Sequence, residues 1–166
     1  MGTRPGAARQ RVSDRIGELV GYAHEHDVRL VLEPLHPIFA ADRGVLSTLG
    51  QCLDIADAFD PGAVGVVVDT YHVWWDPGLF QEIRRAGKKR LLAFHICDWL
   101  VPTTDLLLDR GMMGDGVIDI ASVRQAVEAE GYEGLHEVEI FSAGNWWKRP
   151  PDEVLETCKR RHVECC

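Results

Sequence analysis

Hydrophobic and polar positions along this chain alternate between helical stripes and short apolar runs. The runs predict strands over 28–32, 64–68, 91–94 and 135–140, and their nearly continuous apolar character is typical of strands that are buried on both faces. The stripes predict helices over 9–26, 48–59, 79–86, 119–131 and 150–161. A helix followed by four strand–helix units predicts an α/β fold with a parallel sheet and right-handed crossovers.

A residue that can bind a metal ion stands at or near the end of each predicted strand. Successive members of this set are separated by about the length of one strand–helix unit, so they are expected to meet at one edge of the sheet. The four residues are Glu33, Asp69, His95 and Glu139.

Three carboxylates and one imidazole suit Mn²⁺, Mg²⁺, Co²⁺ or Zn²⁺, whereas copper(I) and iron–sulfur clusters prefer thiolates. Each residue alone is weak support, because a carboxylate at a strand end often caps a helix. The strands, however, have the pattern of interior strands, where an unpaired carboxylate is costly. A divalent ion would remove that cost.

The composition excludes several classes of protein. The chain has 166 residues, 46% hydrophobic and 27% charged, which suits one globular domain. A net charge of −8 without any basic run argues against nucleic-acid binding, and no apolar segment is long enough to span a membrane. Residues 1–8 are expected to be disordered, without the apolar core of a signal peptide. Five cysteines without framework spacing indicate reduced thiols and a cytoplasmic protein.

Five motifs, taken together and in order, resemble the xylose-isomerase-like TIM-barrel superfamily of sugar and sugar phosphate isomerases and epimerases. The resemblance extends over about residues 9–150. The motifs are VLEPLHP, VVVDTYH, LLAFHICD, the Asp109-Arg110…Gly114-Asp115-Gly116 loop and GYEGLHEVEIF.

The resemblance implies that Glu33, Asp69, His95 and Glu139 hold one divalent metal ion, with Mn²⁺ expected first and Mg²⁺, Co²⁺ or Zn²⁺ as alternatives. Glu137 shares a strand face with Glu139, and the spacing from the GYEG motif favours Glu139 as the ligand.

The resemblance also implies residues that bind a sugar or cyclitol substrate. His72 in the D-T-Y-H motif is expected on the substrate side, and Arg110 matches an arginine that contacts substrate oxygens or phosphate. His36 follows Glu33 in a loop at the same edge and is a further candidate for substrate contact.

The activity implied by the resemblance is isomerisation or epimerisation. Glu33 and Glu139 would remove a proton from the substrate and return it, and the enediolate that forms in between would be stabilised by the metal. One alternative is an inosose-type dehydratase that uses the same site, and another is a truncated module without catalysis. An AP endonuclease is least favoured, because the loop reads Asp109-Arg110-Gly111 and lacks the second histidine of that group.

The predicted fold is the (β/α)₄ C-terminal half of a TIM barrel. A complete barrel has eight strands and typically about 250 residues. Residues 1–166 are predicted to form one domain with only four strands, whose strand–helix units extend over residues 9–161. The N-terminal four strands are therefore expected to be lacking. Such a sheet has two open edges, so we expect either a homodimer through these edges or a missing N-terminal half that covers them.

Overall fold

The computed structural model describes residues 5–166 and shows parallel strands that alternate with helices. The α-helices are α1 (Pro5–Glu25), α2 (Leu49–Ala56), α3 (Thr70–Val73), α4 (Leu79–Arg90), α5 (Ile120–Ala129) and α6 (Pro151–Cys165). The strands are β1 (Leu30–Leu32), β2 (Val64–Asp69), β3 (Leu91–Ile96), β4 (Asp98–Trp99), β5 (Arg110–Gly111) and β6 (His136–Val138). Two short 3₁₀ helices cover Pro37–Phe39 and Trp146–Lys148.

The main sheet has four parallel strands in the order β1-β2-β3-β6. Each of these strands is therefore adjacent to the one that precedes it in the chain, as in a barrel, and not rearranged as in a doubly wound sheet. The predicted parallel α/β architecture is confirmed.

Helix α1 begins earlier than the sequence pattern indicated. It starts at Pro5, so residues 5–8 are helical and the expected disorder is wrong for them. Proline is tolerated in the first turn of a helix, and Ala7 and Ala8 favour helix formation. The rest of the segment expected to be disordered, residues 1–4, lies outside the described residues.

Successive residues of strand β2 point to opposite faces of the sheet. Val64, Val66 and Val68 belong to the main core between sheet and helices, while Gly65 and Asp69 alternate onto the other face. A Cβ on Gly65 would lie 2.5 Å from the Arg90 carbonyl and 2.5 Å from Leu92 Cγ. Glycine is thus required where β3 passes close to this face.

The loop predicted over residues 98–116 contains a small antiparallel pair, β4 with β5. The fully buried Asp98 organises it, because its carboxylate accepts N–H groups from Trp99 (2.9 Å), Gly114 (3.0 Å), Gly116 (2.8 Å) and Ile118 (3.0 Å). This clamp fixes the turn that positions Arg110 at the edge of the main sheet.

The two outer strands, β1 and β6, each pair with one neighbour among the described residues. Apolar side chains are exposed on both, with Val31 44% and Val138 37% accessible. None of the described helices is both long and apolar enough to cross a membrane.

Candidate metal centre

Three carboxylates and an imidazole meet at the carboxyl ends of the parallel strands. Glu33 follows β1, Asp69 ends β2, His95 lies on β3, and Glu139 follows β6. Their potential ligand atoms form two overlapping groups, each within 4.8 Å: Glu33, Asp69 and His72 in one, and Asp69, His95 and Glu139 in the other. Asp69, shared by both groups, stands at the centre.

Asp69 is fully buried, yet only one of its oxygens is satisfied. Oδ1 accepts the N–H of Tyr71 at 2.8 Å and caps helix α3, whereas Oδ2 has no hydrogen-bond partner among residues 5–166. Burial raises the pKa of Asp69 to about 8 in the metal-free chain, against the opposing effect of Arg110. A buried oxygen without a partner needs an explanation, and a bound cation supplies one.

His95 presents a second buried atom without a partner to the same place. Its Nδ1 has no hydrogen bond within the described chain and lies 3.5 Å from Glu33 Oε1 and 4.0 Å from Asp69 Oδ2. The neighbouring Glu33 carboxylate raises the pKa of His95, against desolvation. Two orphaned buried atoms and a carboxylate–imidazole donor set fit a divalent cation.

His72 lies close to the centre, but its hydrogen bonding indicates that its free ring nitrogen is a hydrogen-bond donor and not a metal ligand. Its Nδ1 accepts the backbone N–H of His36 at 3.1 Å, and burial lowers its pKa to about 3, so the ring is neutral. The neutral ring therefore carries its proton on Nε2, which lies 3.7 Å from Asp69 Oδ2. A protonated nitrogen cannot bind a metal, so this tautomer leaves His72 free to donate a hydrogen bond to another group.

Arg110 is engaged with the site's own carboxylates. Its side chain is 3% exposed and lies between the rings of Tyr71 and Phe141, at 4.2 Å and 4.7 Å from their centroids. Its NH1 atom donates to Glu139 Oε2 at 2.7 Å and lies 3.7 Å from Asp69 Oδ2. Nε, buried and without a partner among residues 5–166, keeps one donor available.

His36 contributes its backbone more than its ring. The ring packs 4.8 Å from Trp99 and 5.8 Å from Trp75 between centroids, and its Nδ1 accepts the Ile38 N–H at 3.3 Å. Because the ring is engaged with these neighbours, the structure does not bring it into the group of metal-capable side chains. Its part in substrate contact stays a prediction.

A cavity of about 380 Å³ opens beside these groups, and both acidic and aromatic side chains line it. Its residues include Glu33, His72, Arg110, Glu139, Phe39 and Trp147. A larger cavity of about 650 Å³ lies between α5, β6 and α6. We assign the chemistry to the smaller cavity, because polar groups in the larger one pair with each other, as in the His136–His162 contact of 3.0 Å.

Sequence reasoning overlooked the two aromatic rings around Arg110 and the clamp at Asp98. A signal for the rings was present, since Tyr71 stands within the D-T-Y-H motif and Phe141 follows Glu139 by two residues. Asp98 ends the LLAFHICD motif and two of its partners lie in the Gly114-Asp115-Gly116 loop, but no local pattern connects the two segments, because they lie 16–18 residues apart.

Comparison with known proteins identifies the family and the fold. The model of the xylose isomerase-like TIM barrel family matches residues 1–160. The chain belongs to this family. The crystal structure of protein SMc04130 from Sinorhizobium meliloti 1021 superposes with a TM-score of 0.95 at 55% identity, covering 99% of this chain and 60% of that one. The xylose isomerase-like fold predicted from the motifs is therefore confirmed.

Curated relatives in the family include the inosose isomerase of Bacillus subtilis strain 168. It is 25% identical over 158 residues, a match that covers 91% of this chain and 53% of that protein. The chain thus spans about half the length of the curated relatives that it matches. The structure of the IOLI protein with a bound zinc atom has the same fold, with a TM-score of 0.81 at 23% identity over 99% of this chain and 58% of that one.

Proposed function

We propose that this chain provides the metal site and the proton-transfer groups of a divalent-metal-dependent isomerase or epimerase. Its substrate would be a sugar, keto-sugar, sugar phosphate or cyclitol ketone. Support comes from the family and from the inosose isomerases among its relatives. The observation that carries the proposal is the pair of buried atoms without partners, Asp69 Oδ2 and His95 Nδ1, beside the carboxylates of Glu33 and Glu139.

Glu33, Asp69, His95 and Glu139 would hold the ion. A divalent cation in that position supplies positive charge that stabilises the negative charge developing on the substrate oxygens. Mn²⁺ is the ion expected first, although the donor set is equally compatible with Mg²⁺, Co²⁺ or Zn²⁺.

Proton transfer is assigned to the two glutamates because they approach the centre from opposite sides. Glu33 follows β1 and Glu139 follows β6, the outer strands of the sheet, with Asp69 and His95 between them. One carboxylate takes the proton from the carbon next to the carbonyl, and the electron pair moves into the enediolate. The other returns a proton to the opposite face or to the neighbouring carbon, so that no atom is gained or lost.

Two further side chains would orient the reacting groups. The Nε2–H of His72 is placed to donate to a substrate hydroxyl or carbonyl oxygen. Arg110 holds Oε2 of Glu139 at 2.7 Å, which leaves Oε1 of that glutamate for the ion or the proton. The buried Nε of Arg110 is the donor that remains for a substrate oxygen.

The test combines metal titration with turnover of inosose and of ketoses in deuterated water. We expect one bound ion per chain, deuterium incorporation at the carbon beside the carbonyl, and a product of unchanged heavy-atom composition. Glu139→Gln should reduce turnover at least 10³-fold, of the order seen when an acid–base group is lost, while circular dichroism shows an intact fold. Glu133→Gln, at a 79% exposed side chain, is the matched control.

Two results would contradict the proposal. Retained turnover in Glu139→Gln would remove that residue from proton transfer. A product lighter by one water would assign the site to a dehydratase instead.

A further inference from the structure

The two ring nitrogens of His95 face different carboxylates. Nδ1 is buried at the centre of the site, 3.5 Å from Glu33 Oε1. Nε2 points away from the centre and lies 3.5 Å from Oε2 of Glu137. Glu137 is therefore separated from the candidate metal position by the imidazole ring itself.

The register of the sheet produces this arrangement. His95 on β3 pairs directly with Glu137 on the parallel strand β6, and Glu139 follows two residues later on the same face. One strand end thus provides two carboxylates, with Glu139 at the centre beside Asp69 and Glu137 behind the ring. The two glutamates share a strand face by their spacing of two residues, and the sequence favoured Glu139 as the ligand. In the structure they occupy separate positions.

A neutral imidazole can offer a lone pair on one nitrogen only, and the other nitrogen then carries the proton. Histidines that bind metals almost always donate that second N–H to a carboxylate, a carbonyl or water, which fixes the tautomer and the ring orientation. Glu137 is the carboxylate facing Nε2 within the described chain.

We propose that Glu137 is a positioning residue that accepts the Nε2–H of His95 and thereby holds Nδ1 as the metal-binding atom. This inference rests on the proposed metal centre. The side chain of Glu137 is 61% exposed, so the contact adds little to folding stability. The contact between Glu137 and His95 should instead strengthen metal binding.

The first test measures Mn²⁺ and Zn²⁺ affinity by isothermal titration in the protein and in Glu137→Leu, Glu137→Gln and the control Glu133→Gln. Loss of such an outer partner typically weakens metal binding about 10–100-fold, and we expect this for Glu137→Leu. The amide oxygen of Glu137→Gln can still accept the N–H, so this variant should recover most of the affinity. Equal affinities in all four proteins would overturn the proposal, as would a loss in Glu137→Gln equal to that in Glu139→Gln, which would make Glu137 a ligand.

The second test needs no metal. Nitrogen-15 NMR of His95 in the chelator-treated protein reports which ring nitrogen carries the proton. Glu137→Leu should lower the fraction of neutral ring protonated on Nε2, because Glu33 still faces Nδ1 at 3.5 Å when the carboxylate beside Nε2 is removed. An unchanged tautomer in Glu137→Leu would overturn the proposal. If the protein bound no metal and the tautomer still responded to Glu137, the proposed function would fail while the contact between Glu137 and His95 stood.

Discussion

At the scale of single residues, the site combines groups that are poorly satisfied in the metal-free chain. Asp69 is buried with one oxygen unpaired, and the partly exposed His95 has a buried Nδ1 that is unpaired among the described residues. Such groups lower stability unless something binds them. Stability and function should therefore respond in opposite directions when these residues are changed.

Asp69→Asn should alter the dependence of stability on pH. Burial raises the pKa of Asp69 to about 8 in the folded chain without metal, from an ordinary value of 3.8. Between these values the folded state keeps a proton that the unfolded chain has lost. The contribution of this group is thus fully present below pH 3.8 and is lost as the pH rises through about 8.

We expect the unfolding free energy of the unsubstituted protein to fall relative to Asp69→Asn by about 5 kcal/mol between pH 4 and pH 8, because each pKa unit corresponds to about 1.4 kcal/mol. Urea denaturation with a chelator present measures it. Added Mn²⁺ or Zn²⁺ should stabilise the unsubstituted protein and leave the variant unchanged. The exposed Asp42→Asn is the control. Parallel pH profiles for the protein and Asp69→Asn would show that folding does not raise the pKa of this carboxylate.

His72→Asn should separate substrate binding from metal binding. His72 lies in one of the two metal-capable groups, but its Nδ1 accepts the His36 N–H, which directs its proton to Nε2. Loss of one hydrogen bond to substrate should lower kcat/KM about 10–100-fold. The dissociation constant of the metal should stay within about threefold. A loss of metal affinity as large as in Asp69→Asn would make His72 a ligand.

At the scale of elements, the clamp at Asp98 connects the fold to the site. Its carboxylate accepts four backbone N–H groups and joins β4 to the Gly114–Gly116 turn. The adjacent strand β5 carries Arg110, which holds Glu139. A substitution at Asp98, away from the candidate metal position, should therefore disturb the position of Glu139 by displacing Arg110.

Asp98→Ala should cost about 3–5 kcal/mol of unfolding free energy, because it leaves buried donors without their charged acceptor. Gly116→Ala should also destabilise, since a Cβ there would collide with the Trp99 carbonyl and Asp98 Oδ1. Gly144→Ala is the matched control: nothing lies within 4 Å of a Cβ at that position, and we expect a change below about 0.5 kcal/mol. Urea denaturation measures all three, and equal midpoints for Gly116→Ala and Gly144→Ala would contradict the role of the turn.

These elements also show how far the sequence could predict the structure. The strands and the residues at their ends follow from local apolar runs, so the sequence alone is enough to locate Asp69 and His95. The short strands β4 and β5 could not, because they depend on hydrogen bonds between Asp98 and residues 16–20 positions away. The motifs contain Tyr71 and Phe141, but the sequence could not predict that their rings enclose Arg110, since they lie on different units of the chain.

At the scale of the whole molecule, the sheet has the strand order of a barrel but includes only four parallel strands, with open edges at β1 and β6 among the described residues. In TIM barrels eight such strands close on one another. Unpaired edges of parallel strands readily pair with other chains. The N–H of Leu30 donates to the carbonyl of Ala63, the residue just before β2, and the N–H of Glu139 donates to the carbonyl of Ile96 on β3. Alternation therefore directs the N–H groups of Val31 and Val138 to the open sides.

We therefore expect a polypeptide of residues 1–166, studied by itself, to associate through these edges. Sedimentation velocity should show dimers or larger species whose fraction rises with protein concentration. Proline removes an edge N–H without breaking the internal ladder at these positions, so Val31→Pro combined with Val138→Pro should shift the distribution towards the monomer. Val163→Lys changes a side chain that is 80% exposed on α6 and is the control for a general gain in solubility. If the lysine variant reduced association as much as the two prolines, the exposed apolar surface would be responsible, and the strand edges would not be the interface.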